Sequence, residues 1–211
     1  YKNTYTSKDV YLEFPSASFY NKLAFEYDYI SPKNVKNPGL RNHRLYTGIH
    51  KIHHPTVPLH NAAFIRLKIS DDVLRDKNRY YLARLLPDNK TEYVEATYTE
   101  GFMEGEIPYF GKYAVLADSL PPKIFHPQLE KNQNNTLIRI LVRDDESGLD
   151  TYRCTINAKW VLFEYDYKTN TLTADLKDER IEWLPTGNLL QIYVKDKCGN
   201  ENYREWMFNA E

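Results

Sequence analysis

The chain has 211 residues, of which 42% are hydrophobic and 14% aromatic, and its formal net charge is −1. This length suits two immunoglobulin-sized sandwiches of roughly 100 residues each, and the composition, with 18 tyrosines, favours pleated strands over long helices. Residues 1–120 carry a net charge of +2 and residues 121–211 carry −3, so neither half offers a basic surface for phosphates, and we expect no nucleic-acid partner.

The first half predicts a series of short strands separated by turn residues. A long irregular segment is expected at Ser31–Asn42, and a helical turn or polar loop at Asp71–Asn78. Nothing resembles a crossover helix, so the pattern favours Greek-key-like, antiparallel pairing. The predicted strands are approximately Val10–Phe14, Leu23–Tyr29, Leu45–Ile52, Ala63–Ile69, Tyr80–Leu86, Glu92–Tyr98, Phe102–Ile107 and Gly111–Ala117.

The periodic pattern stops at Ser119-Leu120-Pro121-Pro122, because paired prolines cannot take part in a central strand. We therefore predict an all-β fold of two tandem β-sandwich domains, residues 1–119 and 120–211, the second immunoglobulin-like. Seven strands are predicted in the second domain, approximately Lys123–His126, Thr136–Asp144, Asp150–Ile156, Lys159–Glu164, Thr171–Ala174, Asn188–Asp196 and Glu201–Phe208.

Two turns in the second half, Asp144–Asp150 and Lys195–Glu201, each contain a glycine suited to the positive φ of a tight turn. Two further hairpin turns are expected at Asn157–Lys159 and Tyr167–Asn170. Alternation within two of the strands predicts which side chains face the core. They are Ile138, Ile140 and Val142 in one strand and Leu190, Ile192 and Val194 in the other.

Three runs in the second half carry a resemblance to a known family. They are Asp144-x-x-Ser147-Gly148-Leu149-Asp150-x-Tyr152-Arg153, Ile156-Asn157-x-Lys159-Trp160-Val161-Leu162-x-Glu164-Tyr165-Asp166 and Asp196-x-x-Gly199-Asn200. Over most of residues 121–211 the chain resembles the C-terminal immunoglobulin-like module that follows the catalytic domain in Bacteroidetes lysostaphin-type peptidoglycan metallopeptidases.

The first half is similar to the sandwich module found just before that one, and distantly to the domain shared by ankyrins and netrin receptors. The matching residues are Val10–Pro15, Val57–His60 and Phe110–Asp118. Those peptidases bind catalytic zinc through His-x-x-x-Asp and His-x-His elements, and no His-x-His occurs here. The resemblance implies that this chain is not an enzyme and that its partner is an attached or neighbouring catalytic domain.

A cluster of histidines, His50, His53, His54 and His60, is the nearest approach to a metal site. In an extended strand His50 and His54 share a face while His53 points away, which makes His50 and His54 the candidate ligands. The ordinary alternative is a solvated edge strand.

The acidic turn offers a candidate calcium site with Asp144, Asp145 and Asp150 as ligands, since hard cations prefer carboxylate and carbonyl oxygens. Acidic side chains also favour turns by capping backbone N–H groups, so a purely structural role is the alternative. No other cofactor is expected. The two cysteines, Cys154 and Cys198, leave open a single bridge, although two buried free thiols are favoured.

Aromatic rings raise the possibility of carbohydrate binding, because flat rings stack on sugars. Tyr165, Tyr167 and Trp183 are the candidate residues. Trp160 and Trp206 lie within strand patterns and are expected to pack in a core or between domains.

No catalytic residues are predicted, and no apolar run approaches the roughly 20 residues of a transmembrane segment. The chain opens without a methionine or export signal, so we expect a piece of a longer protein. We expect a non-catalytic accessory or scaffold region of a secreted, periplasmic or cell-envelope-associated bacterial protein. The alternatives are a glycan- or peptidoglycan-binding module, a free-standing envelope interaction protein, and an enzyme using a metal at the histidine cluster.

Overall fold

The computed structural model describes residues 1–34, 45–87, 90–131 and 136–209. The chain divides into two compact units, Tyr1–Ser119 (unit 1) and Leu120–Glu211 (unit 2), and antiparallel strands dominate both. The predicted all-β fold class is therefore confirmed. Among the described residues no helix has the length and apolar character needed to span a bilayer.

Unit 1 contains two antiparallel sheets of five strands each. Their orders are β1-β2-β5-β9-β8 in sheet A and β3-β4-β10-β6-β7 in sheet B. The strands are β1 (Asn3–Ser7), β2 (Val10–Phe14), β3 (Tyr27–Ile30), β4 (Ile49–Ile52), β5 (Pro58–Lys68), β6 (Tyr80–Leu85), β7 (Thr91–Val94), β8 (Ala96–Thr99), β9 (Phe102–Tyr109) and β10 (Gly111–Ala117). Short 3-10 turns lie at Pro32–Asn34 and Lys77–Arg79.

The core of unit 1 lies between these two sheets. Sheet A supplies alternate residues such as Leu12 and Ile65, and sheet B supplies Ile52, Tyr113 and Val115, all of them fully buried. Alternation places these side chains on one face of each strand, which is why two half-apolar sheets pack as a sandwich.

Some strands of unit 1 differ from the predicted ones. The strand predicted at Leu23–Tyr29 begins only at Tyr27. The strand β1 was not predicted at all, because its sequence Asn-Thr-Tyr-Thr-Ser carries a single large apolar residue. The segment predicted as Glu92–Tyr98 is two strands in different sheets, and the single residue Glu95 passes from one sheet to the other.

The polar segment Asp71–Asn78 contains part of a 3-10 turn, as expected. The side chain of Asp76 caps this turn by accepting a hydrogen bond from the Asn78 backbone N–H at 3.1 Å. Of the irregular segment Ser31–Asn42, residues 35–42 lie outside the described residues.

Unit 2 is a sandwich with the strand order of an immunoglobulin fold. One sheet has the order β11-β13-β17-β16, with β12 also paired to β13, and the other has β15-β14-β18-β19, which correspond to A-B-E-D and C′-C-F-G. The strands are β11 (Lys123–Ile124), β12 (Gln128–Lys131), β13 (Thr136–Arg143), β14 (Leu149–Ile156), β15 (Lys159–Trp160), β16 (Glu164–Asp166), β17 (Thr171–Asp175), β18 (Asn188–Asp196) and β19 (Glu201–Phe208).

The predicted core residues of unit 2 are confirmed, since all six are buried between its sheets. Gly148 and Gly199 adopt φ of +85° and +81°, as the two glycine turns require. The strand predicted at Lys123–His126 is shorter than expected, and a further strand, β12, follows Pro127. Proline lacks the N–H needed for the ladder, so it divides this edge into two short strands.

Candidate functional site

His50 is the most perturbed of the histidines that the sequence groups together. It lies on β4 between β3 and β10, and none of its surface is exposed. Its Nδ1 is 2.9 Å from the Tyr27 hydroxyl, while its Nε2 has no hydrogen-bond partner among the described residues. Because a neutral imidazole carries one donor and one acceptor, one of them is left unpaired here.

Burial lowers the pKa of His50 to about 4, against an opposing effect of the nearby Asp9 carboxylate. The imidazole is therefore neutral at physiological pH. The edge of the Tyr29 ring contacts it, with ring centroids 5.2 Å apart. Among the described residues, no group of three or more potential metal-ligating atoms includes His50 or His54, and the metal site predicted there stays a prediction.

The other clustered histidines have separate environments because β4 ends at Ile52. His53 follows in the left-handed region with φ of +51°, and the Phe110 ring contacts its imidazole with centroids 4.9 Å apart. This backbone conformation breaks the strand alternation from which the shared face of His50 and His54 was predicted. His54 and His60 are exposed, and each ring forms a hydrogen bond, to Thr56 and Tyr20 respectively.

In the acidic turn of unit 2, Asp144 accepts hydrogen bonds from two backbone N–H groups of its own turn, at 3.0 and 2.7 Å. Asp196, which sequence reasoning did not select, caps the second glycine turn by accepting from the backbone and side-chain nitrogens of Asn200 at 2.8 and 2.7 Å. Carboxylate oxygens of Asp144 and Asp196 lie within 4.8 Å of each other. A backbone hydrogen bond from the Lys197 N–H to the Gly148 carbonyl joins the two turns. The Asp-x-x-Gly-Asn spacing of the second turn is the sequence feature that could have identified Asp196 as a capping residue.

Asp145 and Asp150 differ from Asp144. Asp145 forms ion pairs with Lys123 at 3.0 Å and Arg143 at 2.6 Å, and the hydrogen bond from Lys123 is the main reason that its pKa is lowered. Asp150 is exposed on β14. The acidic turn thus stabilises itself through caps and ion pairs, and its role as a calcium site stays a prediction.

The three candidate sugar-binding rings are not equally available. Tyr165 is half-buried against the core, with its hydroxyl donating to Asn170 at 3.0 Å, and Trp183 packs edge-on against Phe208. Tyr167 at the tip of its hairpin turn is 73% exposed.

Three further side chains of unit 2, one tryptophan and two cysteines, bear on expectations from the sequence. Trp160, expected in a core or between domains, is 52% exposed, because its β15 lies at the edge of its sheet. Cys154 and Cys198 are buried and are not joined by a disulfide, as favoured from the sequence. Burial raises the pKa of the Cys154 thiol to about 12, which leaves it unreactive at neutral pH.

An open cleft in unit 1, beside strand β1, is a candidate binding site that the sequence did not reveal. Its volume is about 620 Å³. Its walls combine aromatic and aliphatic side chains with two amides and one cation. The lining residues are Asn3, Thr4, Tyr5, Phe14, Phe19, Asn21, Lys22, Leu23 and Phe25.

The floor of this cleft is held in place by ring contacts across the sandwich. The Tyr5 ring contacts Phe25 and Tyr27, with centroids 5.1 and 4.9 Å apart, and Phe14 contacts Phe19 at 5.1 Å. These residues come from β1, β2, β3 and the segment before β3, so the site forms only when these separate elements pack together. Pockets that bind ligands commonly combine such an apolar floor with a few polar groups.

The family described as the Zu5-like domain matches residues 1–118, which is nearly the whole of unit 1. No curated protein matches the chain.

Proposed function

The chain belongs to the Zu5-like domain family through residues 1–118, and we propose that it is a non-catalytic accessory region of a bacterial cell-envelope protein. Its role is to hold an attached or neighbouring catalytic domain at a set distance from the polymer on which that domain acts. The proposed parent is a lysostaphin-type peptidoglycan endopeptidase, secreted or periplasmic, and the resemblance of residues 121–211 to the module that follows such catalytic domains supports this.

The observation that carries the proposal is that two sandwiches, each with its own hydrophobic core, are joined by a very short connector. Each unit buries its own cluster of apolar side chains. On one side, the Asp118 backbone N–H donates to the Arg79 carbonyl at 2.9 Å, and on the other, Asn202 donates to the Pro122 carbonyl at 2.7 Å. Only residues 119–121 lie between these anchored positions, and Pro121 restricts them further. Short, proline-containing connectors are typical of spacers.

The buried nucleophiles support a non-catalytic role. The Cys154 thiol stays protonated at neutral pH, because its pKa is raised by burial. His50 is enclosed by β3 and β10 and presents no exposed surface to a substrate. General acid–base catalysis requires hydrogen-bond reach to the substrate.

The test of the positioning role uses the parent polypeptide and two insertion variants. Eight Gly-Ser residues are inserted between Ser119 and Leu120, or, as a matched control, between Lys168 and Thr169 in the exposed hairpin turn. Release of soluble fragments from purified peptidoglycan sacculi is compared with cleavage of a short soluble peptide. We expect the connector insertion to slow release from sacculi several-fold while cleavage of the peptide is unchanged, and the control to change neither.

Two results would contradict the proposal. Equal rates on sacculi for both insertions would remove the positioning role. An upstream coding sequence without His-x-x-x-Asp and His-x-His elements would remove the peptidase link.

A glycan-binding module is the second candidate, favoured by the exposed ring of Tyr167. Stacking on a sugar predicts that Tyr167→Ala weakens co-sedimentation with sacculi, whereas Tyr165→Phe, at a ring packed against the core, leaves it unchanged. Equal sedimentation of both variants and the original chain would eliminate this role for Tyr167.

A further inference from the structure

Strand β1 forms one edge of sheet A, and its register with β2 defines which backbone groups face outward. The hairpin closes with Ser7 opposite Val10 across two residues. In such hairpins the closing pair is hydrogen-bonded and the pairs alternate along the ladder, so Ser7, Tyr5 and Asn3 bond to β2. The backbone N–H and C=O groups of Thr4 and Thr6 therefore point away from the sheet.

The next ladder gives the same alternation independently. The Lys68 backbone N–H donates to the Asp9 carbonyl at 2.9 Å, which directs the groups of Asp9 towards β5 and those of Val10 towards β1. Both Thr4 and Thr6 are exposed, and no described residue bonds their backbone groups. An edge of this kind is a template for pairing with another extended chain.

The open cleft lies directly beside this edge. Asn3, Thr4 and Tyr5 of β1 line it together with Phe19 and Phe25. A strand added to β1 would place every second side chain on the same face as Tyr5, over the apolar floor of the cleft, and would expose the others to solvent.

Charge complementarity specifies the occupant further. Lys22 is the one charged side chain among the described residues that line the cleft, and no described residue forms an ion pair with it. An acidic group on the ligand would pair with this ammonium at the rim, where charges contribute more to selectivity than to affinity.

We infer that β1 and the adjoining cleft bind an extended peptide by strand addition, with apolar side chains at alternate positions and a carboxylate that meets Lys22. The row of backbone donors and acceptors favours a peptide over a glycan or a lipid, because only a peptide supplies matching N–H and C=O groups at strand spacing. This site is in unit 1 and does not depend on the accessory role proposed above.

The probe is an acetylated and amidated hexapeptide, Thr-Phe-Thr-Phe-Thr-Glu, titrated into the isotopically labelled full chain and followed by amide NMR. The expected result is a saturable shift of the Thr4 and Thr6 amides together with those of Phe19 and Phe25. A peptide ending in Lys instead of Glu should bind several-fold more weakly, and Lys22→Glu should reverse that preference.

Two variants separate the backbone contact from the side chain. Thr6→Pro removes the outward N–H without removing a bond to β2, since proline is tolerated at such edge positions. Thr6→Ala is the matched control, because it keeps the N–H. We expect at least about tenfold weaker binding for Thr6→Pro, and a change within about twofold for Thr6→Ala. Methylation of the peptide's backbone nitrogens should weaken binding to the unaltered chain similarly, which covers the case in which Thr6→Pro disturbs folding.

Three outcomes would overturn the inference. In the first, the Thr4 and Thr6 amides do not respond to millimolar peptide. In the second, Thr6→Pro and the methylated peptide bind as tightly as their controls. In the third, an N-acetylglucosamine tetrasaccharide shifts the cleft residues while the peptide does not, which would assign the cleft to a glycan.

Discussion

Acidification from pH 7 to pH 5 is expected to weaken unit 1 by about 2 kcal/mol through His50 alone. The imidazole has no exposed surface, and burial lowers its pKa from the ordinary 6.5 to about 4. Between those values the unfolded chain binds a proton that the folded unit does not, so the free energy of unfolding falls as the pH decreases. Each unit of pKa difference is worth about 1.4 kcal/mol, so the full loss is about 3.5 kcal/mol and is approached only below pH 4.

The assay compares the chain with His50→Leu, which cannot be protonated, and with His54→Leu, which replaces an exposed histidine. All three tryptophans, Trp160, Trp183 and Trp206, lie in unit 2, so their fluorescence monitors unit 2 during denaturation. Unit 1 is followed through the NMR amide signals of β4 and β10 in guanidinium chloride at pH 7, 6 and 5.

We expect the chain and His54→Leu to lose unit-1 stability equally, and His50→Leu to lose about 2 kcal/mol less over the same range. Carboxylates with lowered pKa, such as Glu13 and Asp28, lose their stabilising contribution when they are protonated, mainly below pH 5. Their effect is the same in the chain and in both variants, so it cancels when the variants are compared. Equal dependence on pH for the chain and His50→Leu would refute the inference that His50 is buried in its neutral form.

Three further predictions concern packing. Ile140→Ala should destabilise unit 2 by about 2–5 kcal/mol, because the side chain is fully buried. The unfolding transition seen by tryptophan fluorescence should shift, and that of the unit-1 amide signals should not. A shift in both transitions would contradict separate cores. Cys154 and Cys198 should resist iodoacetamide at pH 8 and react in guanidinium chloride, as mass spectrometry would show; rapid native alkylation of Cys154 would contradict its raised pKa. Gly105→Ala should destabilise unit 1 by about 1–3 kcal/mol, because the new Cβ would lie 2.5 Å from the Glu95 carbonyl oxygen. If the unit-1 amide signals report an unchanged free energy of unfolding, the backbone moves apart at this contact without cost.

The sequence located several strands to the residue, most of them where one face of the strand is mainly apolar. The ranges Val10–Phe14, Gly111–Ala117, Asn188–Asp196 and Glu201–Phe208 agree with the structure at both ends. Local patterns were insufficient where a strand has little apolar character, as in β1, or where the chain changes sheets within one residue, as at Glu95. In both cases the partner strand determines the outcome, and the segment itself does not encode it.

The candidate sites show the same division. Sequence reasoning selected His50 as a possible ligand, and the structure shows a ring enclosed between neighbouring strands with one nitrogen unpaired. It selected Tyr167 with Tyr165 and Trp183, of which only Tyr167 is mostly exposed. The exposure of a side chain depends on which residues pack against it from other strands. The spacing of residues along the sequence does not show this.

The sequence by itself determined the all-β class and the buried faces of the main strands, because alternation and glycine turns are written within a few neighbouring residues. Only the tertiary structure decided that β1 lies at the edge of sheet A beside an aromatic cleft. That cleft brings together Tyr5, Phe14 and Phe25 from separate segments, and their meeting depends on how two sheets close around a shared core.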